Sequence, residues 1–192
     1  MNKTELIFVT AENTGLTKKD AERVINTALD IVTAALAKGD KVQAALDAGA
    51  YVELICDGFH IHPAMIMATY KMFGDKLVII SDSLRCAAMP DGDYDLAGQP
   101  IVVKNGQARL LDGTIAGSSS NLLEELKNVV SYGMPLEDAI KAMTETPAKD
   151  LGLAELGVLE EGRCADFIVL DENLNLLATV IDGKLANGTL EF

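Results

Sequence analysis

The residues best able to do chemistry fall in three short stretches. In Asp57-Gly-Phe-His60-Ile-His62 one residue separates two imidazoles, which on an extended strand would put both on one side. Such a pair can bind zinc. A metal site wants three or four ligands, however, and these are the only two histidines, so carboxylates such as Asp57 or Asp82 would have to complete it. Substrate contact, local hydrogen bonding and plain surface placement are the other readings, and the spacing does not choose among them. In Leu77-Val-Ile-Ile-Ser-Asp82 a carboxylate directly follows an apolar run. Emerging partly desolvated at a strand end, Asp82 would suit a general acid or base; a helix cap or turn is an equal alternative. Finally, Thr114-Ile-Ala-Gly-Ser-Ser-Ser120 offers small side chains and free backbone N–H groups ahead of a helix. These could hold an oxyanion or a sugar hydroxyl, or simply cap the helix.

Positioning these groups falls to the elements around them. Tyr51-Val-Glu-Leu-Ile-Cys56 and Lys76-Leu-Val-Ile-Ile-Ser81 read as strands, with Pro63 to Phe73 as a helix between them. Strand, crossover helix, strand is a parallel pairing, and in α/β sheets chemistry collects at the carboxyl ends, where Asp57 to His60 and Asp82 sit. Downstream, Tyr94 to Leu111 predicts a hairpin, since Ile101-Val-Val103 and Ala108-Arg-Leu-Leu111 flank Lys104-Asn-Gly106, where Asn-Gly is a tight-turn signal. Helices are expected from about Asn121 to Tyr132 and from Leu136 to about Glu145. Strands are expected at Gly157 to Gly162, Ala165 to Leu170, Leu177 to Ile181 and Lys184 to Ala186, the last two turned at Asp182-Gly183. Met65, Met67 and Met72 read as core, and Glu160-Glu161 as a solvated turn.

The start of the chain has a different texture. Thr4 to about Asn13 and Thr17 to about Lys38 read as two helices around Gly15, with Thr17 and Asp20 as a capping arrangement. Val24, Ile25, Ala28, Leu29, Ile31, Val32, Ala35 and Leu36 give the second helix a broad apolar face. Residues 1–43 are electrically neutral, so the rest of the 192-residue chain carries the whole net charge of −13. That charge opposes non-specific association with nucleic acid or anionic membrane. No run of apolar residues reaches membrane-spanning length and no secretion signal is visible, so a cytoplasmic setting is expected. Cys56, Cys86 and Cys164 are odd in number and lack CxxC spacing, which fits buried thiols rather than disulfides or thiolate zinc.

Glu53-Leu-Ile-Cys-Asp-Gly-Phe-His-Ile-His-Pro63, Leu77 to Asp82 and Gly113-Thr-Ile-Ala-Gly-Ser-Ser119 together resemble the last barrel strands and substrate loop of the N-acetylglucosamine-6-phosphate deacetylase family. Thr146-Pro-Ala-Lys-Asp-Leu-Gly152, Gly157, Gly162, Ala165-Asp166 and Asp182-Gly183-Lys184 resemble the closing segment common to the amidohydrolase superfamily. The resemblance implies hydrolysis of the acetamido group of an amino-sugar phosphate, with a divalent metal, zinc or iron, as cofactor. It implies Asp82 as the general acid/base, His60 as a contact to the phosphorylated sugar, and Ala116, Gly117 and Ser118 as the loop that closes on the substrate. The family's metal ligands, a glutamate and two histidines, belong to earlier strands without counterpart here, so no metal ligand is assigned and an incomplete, inactive form is expected.

Residues 1–43 resemble instead the N-terminal helical hairpin of HU-type bacterial DNA-binding proteins, through Met1-Asn-Lys-Thr-Glu-Leu-Ile7, Gly15 to Ala21 and Ala37-Lys-Gly-Asp-Lys-Val42. That family's basic arms have no counterpart, so DNA binding is disfavoured and dimerisation or association with DNA stands only as the alternative. Two resemblances joined without a linker suggest a chimera. The expected fold is α/β: residues 1–43 as the hairpin, 44–152 as a partial (β/α) barrel segment with its last two strands and helices, and 153–192 as a small β unit. Open sheet edges and bare apolar faces make a homo-oligomer expected.

Overall fold

A computed structural model describes residues 3–26 and 40–189, which fall into two compact units, Met1–Ala48 and Gly49–Phe192. In the first unit, helix α1 (Lys3–Thr14) stops at Gly15, whose φ of 69° suits glycine. Residues 18–26 are again helical. The Thr17 hydroxyl accepts the Asp20 N–H at 3.2 Å and donates to the Asp20 carboxylate at 2.7 Å, so the expected cap is in place. Residues 27–38, which carry most of the expected apolar stripe, lie outside the described residues. A further helix, α2 (Asp40–Asp47), was not anticipated.

The second unit begins with β1 (Val52–Ile55) and β2 (Leu77–Ile80), paired in parallel from Val52 opposite Leu77 to Ile55 opposite Ile80. The crossover is α3 (Pro63–Phe73), with proline in its first turn, where a missing N–H costs nothing. Over the sheet lie α4 (Leu122–Ser131), α5 (Leu136–Met143) and the short α6 (Glu145–Asp150). The α4 start carries a full capping box between Asn121 and Glu124. Leu54, Cys56, Ile66, Leu77, Ile79, Leu126, Val129 and Met134 form one buried core between strands and helices. The helix expected from Leu136 to about Glu145 is α5, which stops at Met143, and α6 begins after Thr144.

A three-stranded antiparallel sheet follows: β3 (Gly92–Leu96), β4 (Gln99–Lys104) and β5 (Gln107–Leu110). Asn105 and Gly106, with φ of 52° and 69°, make the predicted primed turn between β4 and β5. Ile101, Val103 and Ala108 pack with Cys86 and Ala116 as a second small core. The last sheet is β6 (Phe167–Leu170), β7 (Leu176–Ile181) and β8 (Lys184–Gly188), turned at Asp182-Gly183 as expected.

Gly157 to Gly162 is not a strand. Gly157 and Gly162 adopt φ of 85° and 86°, which is incompatible with extended pairing. A Cβ on Gly157 would also come within 2.6 Å of the Thr144 carbonyl oxygen, so this stretch is a turn packed on the end of α5. The unit is thus a mixed α/β structure whose parallel sheet has two strands among the described residues. No helix among the described residues is long and apolar enough to cross a membrane.

Candidate active site

Beyond β1 the chain bends sharply, with Gly58 at φ 78°. The bend wraps around Asp57. One carboxylate oxygen accepts the backbone N–H groups of Phe59 and His60 at 2.9 and 3.0 Å, and the other meets His60 Nδ1 at 2.8 Å. Burial alone would raise the Asp57 pKa, but the two N–H donors and the imidazole outweigh it and hold the carboxyl below its usual value. With Nδ1 committed to Asp57, Nε2 is the His60 nitrogen open to a ligand. His60 lines a recess, too tight in this structure to admit a water molecule, together with Gln107, Ile115, Gly117 and Ser119.

His62 does something else. It sits at the N-cap of α3, where its Nδ1 accepts the Ala64 N–H at 3.2 Å. The expected strand carrying both imidazoles on one side does not form, because the Gly58 bend separates the two side chains into different roles.

At the end of β2 the chain turns outward through Asp82, at φ 46°. Its side chain is exposed, contrary to the partial desolvation expected from the apolar run before it, because the backbone leaves the sheet at this residue. The Asp82 carbonyl accepts the Ser118 N–H at 3.0 Å, and the Leu84 N–H donates to the Ser118 carbonyl at 2.8 Å. Ser83 and Ser118 therefore form a parallel bridge that lays the Thr114–Ser120 loop alongside the extension of β2. On its other side the loop is tied to β5 by the Ala116 N–H donating to the Ala108 carbonyl at 2.9 Å. Gly117 has φ 40°, and a Cβ there would lie 2.8 Å from Leu84 Cδ2 and 3.2 Å from the Asp82 carbonyl oxygen.

These contacts place the expected site residues unequally. His60 and Gly117 share the recess. Ala116 and Ser118 are buried, the Ser118 hydroxyl is taken up by Ser120, and Ser119, which borders the recess, donates its hydroxyl to the Gly106 carbonyl at 2.6 Å. Asp82 is joined to the loop through its backbone.

The amidohydrolase family model matches residues 21–186. The chain belongs to the amidohydrolase family. It is 34% identical over 137 residues to the N-acetylglucosamine-6-phosphate deacetylase of Vibrio furnissii, covering 70% of this chain and 34% of that protein. It is also 34% identical over 143 residues to the putative N-acetylgalactosamine-6-phosphate deacetylase of Escherichia coli K12, covering 73% of this chain and 86% of that one. The solved N-acetylglucosamine-6-phosphate deacetylase of Thermotoga maritima superposes with a TM-score of 0.69 at 33% identity, over 72% of this chain and 39% of the other. The chain therefore spans about a third of the length of most of these relatives. The family match starts inside the segment resembling an HU-type hairpin and runs across the expected join near residue 43, which leaves the HU-like and chimeric readings without support.

Sequence reasoning missed one further group of this amidohydrolase. Glu125, on the buried face of α4 with Leu126 and Val129, is fully enclosed. Its carboxylate accepts the Cys56 N–H at 2.7 Å and the Ser120 hydroxyl at 2.8 Å, and burial pushes its pKa up. Asn128, one turn on, donates to the Cys56 carbonyl at 3.3 Å. A carboxylate inside the stripe Leu122, Leu126, Val129 was the available signal.

The divalent metal of the deacetylases does not fit the donors present. Among the described residues no three of His, Cys, Asp and Glu converge on one point. Burial, with the Glu125 and Asp57 charges adding to it, pushes the Cys56 thiol up to about 12, so it stays protonated and is no thiolate ligand.

Proposed function

We propose that this amidohydrolase chain carries the sugar-phosphate-binding and acid/base part of an N-acetylhexosamine-6-phosphate deacetylase site. The observation that carries the proposal is the reciprocal backbone bonding of Ser118 with Asp82 and Leu84, which holds the Ala116-Gly117-Ser118 loop beside Asp82. His60 lies in the recess that this loop helps to line, and the recess must widen for a sugar to enter. In this reading His60, oriented by Asp57, contacts the phosphorylated sugar, and the loop closes over it. Asp82 takes a proton from the water that attacks the acetamido carbonyl. It returns that proton to the nitrogen as the C–N bond breaks, leaving acetate and the amino-sugar phosphate. In this reading a zinc or iron ion would need ligands beyond those that the described residues bring together.

The test is a calorimetric titration with N-acetylglucosamine 6-phosphate and N-acetylgalactosamine 6-phosphate. Saturable binding of at least one is expected, weakened about tenfold or more by His60→Ala, since a hydrogen bond to a charged group is lost. Asp82→Asn retains binding and abolishes any acetate release supported by added zinc or iron. Absence of binding would sink the substrate assignment, and equal acetate release by the two proteins would remove Asp82 from its role.

The domain division at residues 44–152 and 153–192 is part of the same proposal, as is a homo-oligomer. In support of the oligomer, Ile168, Leu177 and Ile181 stand about half exposed on one face of the last sheet. A monomeric mass in sedimentation at micromolar concentration would refute it.

A further inference from the structure

We infer that Glu125 is a positioning residue of this site: its enclosed carboxylate fastens the Ser118–Ser120 segment to the end of β1 and so sets the loop backbone against Asp82. The inference rests on the preceding reading for what the loop and Asp82 do, and on geometry alone for the fastening. Helix α4 could bury a leucine at this point at less cost than a carboxylate, which must be fully hydrogen-bonded to be tolerated. Glu125 meets that requirement by using its two oxygens on two different segments, the Cys56 N–H at 2.7 Å and the Ser120 hydroxyl at 2.8 Å.

The direction of these bonds extends the fastening. With Glu125 ionised, the Ser120 hydroxyl must donate to it. The 2.6 Å contact between the Ser118 and Ser120 hydroxyls then uses the Ser118 proton. Ser118 Oγ in turn accepts the Ser120 N–H at 3.0 Å. One orientation therefore satisfies every member, and it is set by the acceptor at Glu125. Ser118, so held, is the residue whose N–H and carbonyl bind the backbone at Asp82 and Leu84. Cys56, at the other end, adjoins Asp57, which orients His60.

Glu125→Gln keeps the volume but offers one acceptor and one donor. The fixed Cys56 N–H must face the amide oxygen, so the amide nitrogen faces Ser120 and reverses the serine chain. Ser120→Ala cuts the loop half and leaves the Cys56 half intact; Ser120→Thr restores a hydroxyl.

The experiment is amide hydrogen exchange on the folded full chain, read at Ser118 and Leu84 and compared with the amides of the β1–β2 ladder. Ser120→Ala and Glu125→Gln are expected to speed exchange at Ser118 and Leu84 about tenfold or more, one charge-assisted hydrogen bond lost. The ladder amides stay unchanged, and Ser120→Thr returns the rates toward wild type. Binding of N-acetylglucosamine 6-phosphate should weaken in step. Unchanged exchange at Ser118 and Leu84 in Ser120→Ala would overturn the inference, and so would equal acceleration across the ladder, which marks a merely structural role. If Glu125→Gln does not fold, Ser120→Ala decides. Failure of wild type to bind the sugar phosphate would overturn the proposed function while leaving the exchange rates to judge Glu125.

Discussion

Gly117→Ala perturbs the site at its narrowest point. Alanine at φ 40° costs about 1–2 kcal/mol, because the left-handed conformation crowds Cβ against the following carbonyl. The new methyl would also stand 2.8 Å from Leu84 Cδ2 and 3.2 Å from the Asp82 carbonyl oxygen. Leu84 can rotate away, but the Asp82 carbonyl cannot without losing its bond from Ser118. Overpacking of this kind costs about 1–3 kcal/mol if the loop stays in place. The loop has a cheaper escape: releasing the two backbone bonds between Ser118 and Asp82–Leu84 forfeits about 1 kcal/mol each. The variant should therefore lose about 2 kcal/mol, a fall of about 4–8 °C in Tm for a protein this size. It should also lose sugar-phosphate affinity, because the loop is no longer held. Gly113→Ala is the control. It has φ 90° but nothing within 4 Å of where its methyl would stand, so it carries the conformational cost alone and should leave binding nearly intact. Scanning calorimetry and titration of both variants read the difference. Wild-type affinity with an unchanged Tm in Gly117→Ala would show that the loop does not lie against Asp82 as described.

Asp57 is held below the usual aspartate value of 3.8, so its contribution to stability is present above that pH and is lost as pH falls through its folded-state value. Asp57→Asn should flatten the acid limb of the stability curve, and an unchanged limb in acid titration would count against it. Glu125 shifts the other way: its contribution is present below the usual 4.5 and is lost as pH rises through the raised value, so Glu125→Gln should lessen that loss on neutralisation, measured by Tm against pH. Cys56 should resist iodoacetamide in the folded protein at mildly alkaline pH while the less buried Cys164 reacts, a contrast that denaturant abolishes; rapid labelling of native Cys56 would refute its enclosure. Asn121→Ala removes the capping box of α4 and should cost about 1 kcal/mol, seen as a Tm lower by about 2–4 °C; no change would mean that the cap is dispensable.

What could be read from the chain alone was what local chemistry decides. Pro63 starts a helix, the apolar run Leu77–Ile80 between Lys76 and Ser81 makes β2, Val52-Glu-Leu-Ile55, apolar but for Glu53, makes β1, and Asn105-Gly106 and Asp182-Gly183 make turns because they tolerate positive φ. Strand β3 escaped because Gly92-Asp-Tyr-Asp-Leu96 is half polar, and only pairing with β4 from Gly92 opposite Val103 to Leu96 opposite Gln99 makes it extended. The stretch 157–162 misled through Val158 and Leu159, whose flanking glycines could equally bound a strand or a turn; packing on Thr144 settles it. At the site, the proximity of Gly117 and His60 followed from no spacing rule, since nearly sixty positions of chain lie between them. Glu125 was hidden for a related reason. A glutamate in the first turn of a helix is favourable to the dipole wherever it points, so only its neighbours reveal that it faces inward.

The way the site is tied together bears on how its functions divide. Its fastenings are all made between protein groups: Asp57 to His60, Ser118 to Asp82 and Leu84, Glu125 to Cys56 and Ser120. The one thiol in the group is buried and protonated. The arrangement of His60, Asp82 and the loop is therefore organised by the fold itself, and under the proposed function the ionisation of water for amide hydrolysis needs a charge that these residues do not supply. Under the proposed function, recognition of the sugar phosphate and turnover should then be separable, and binding without acetate release in the absence of added metal is the expected result.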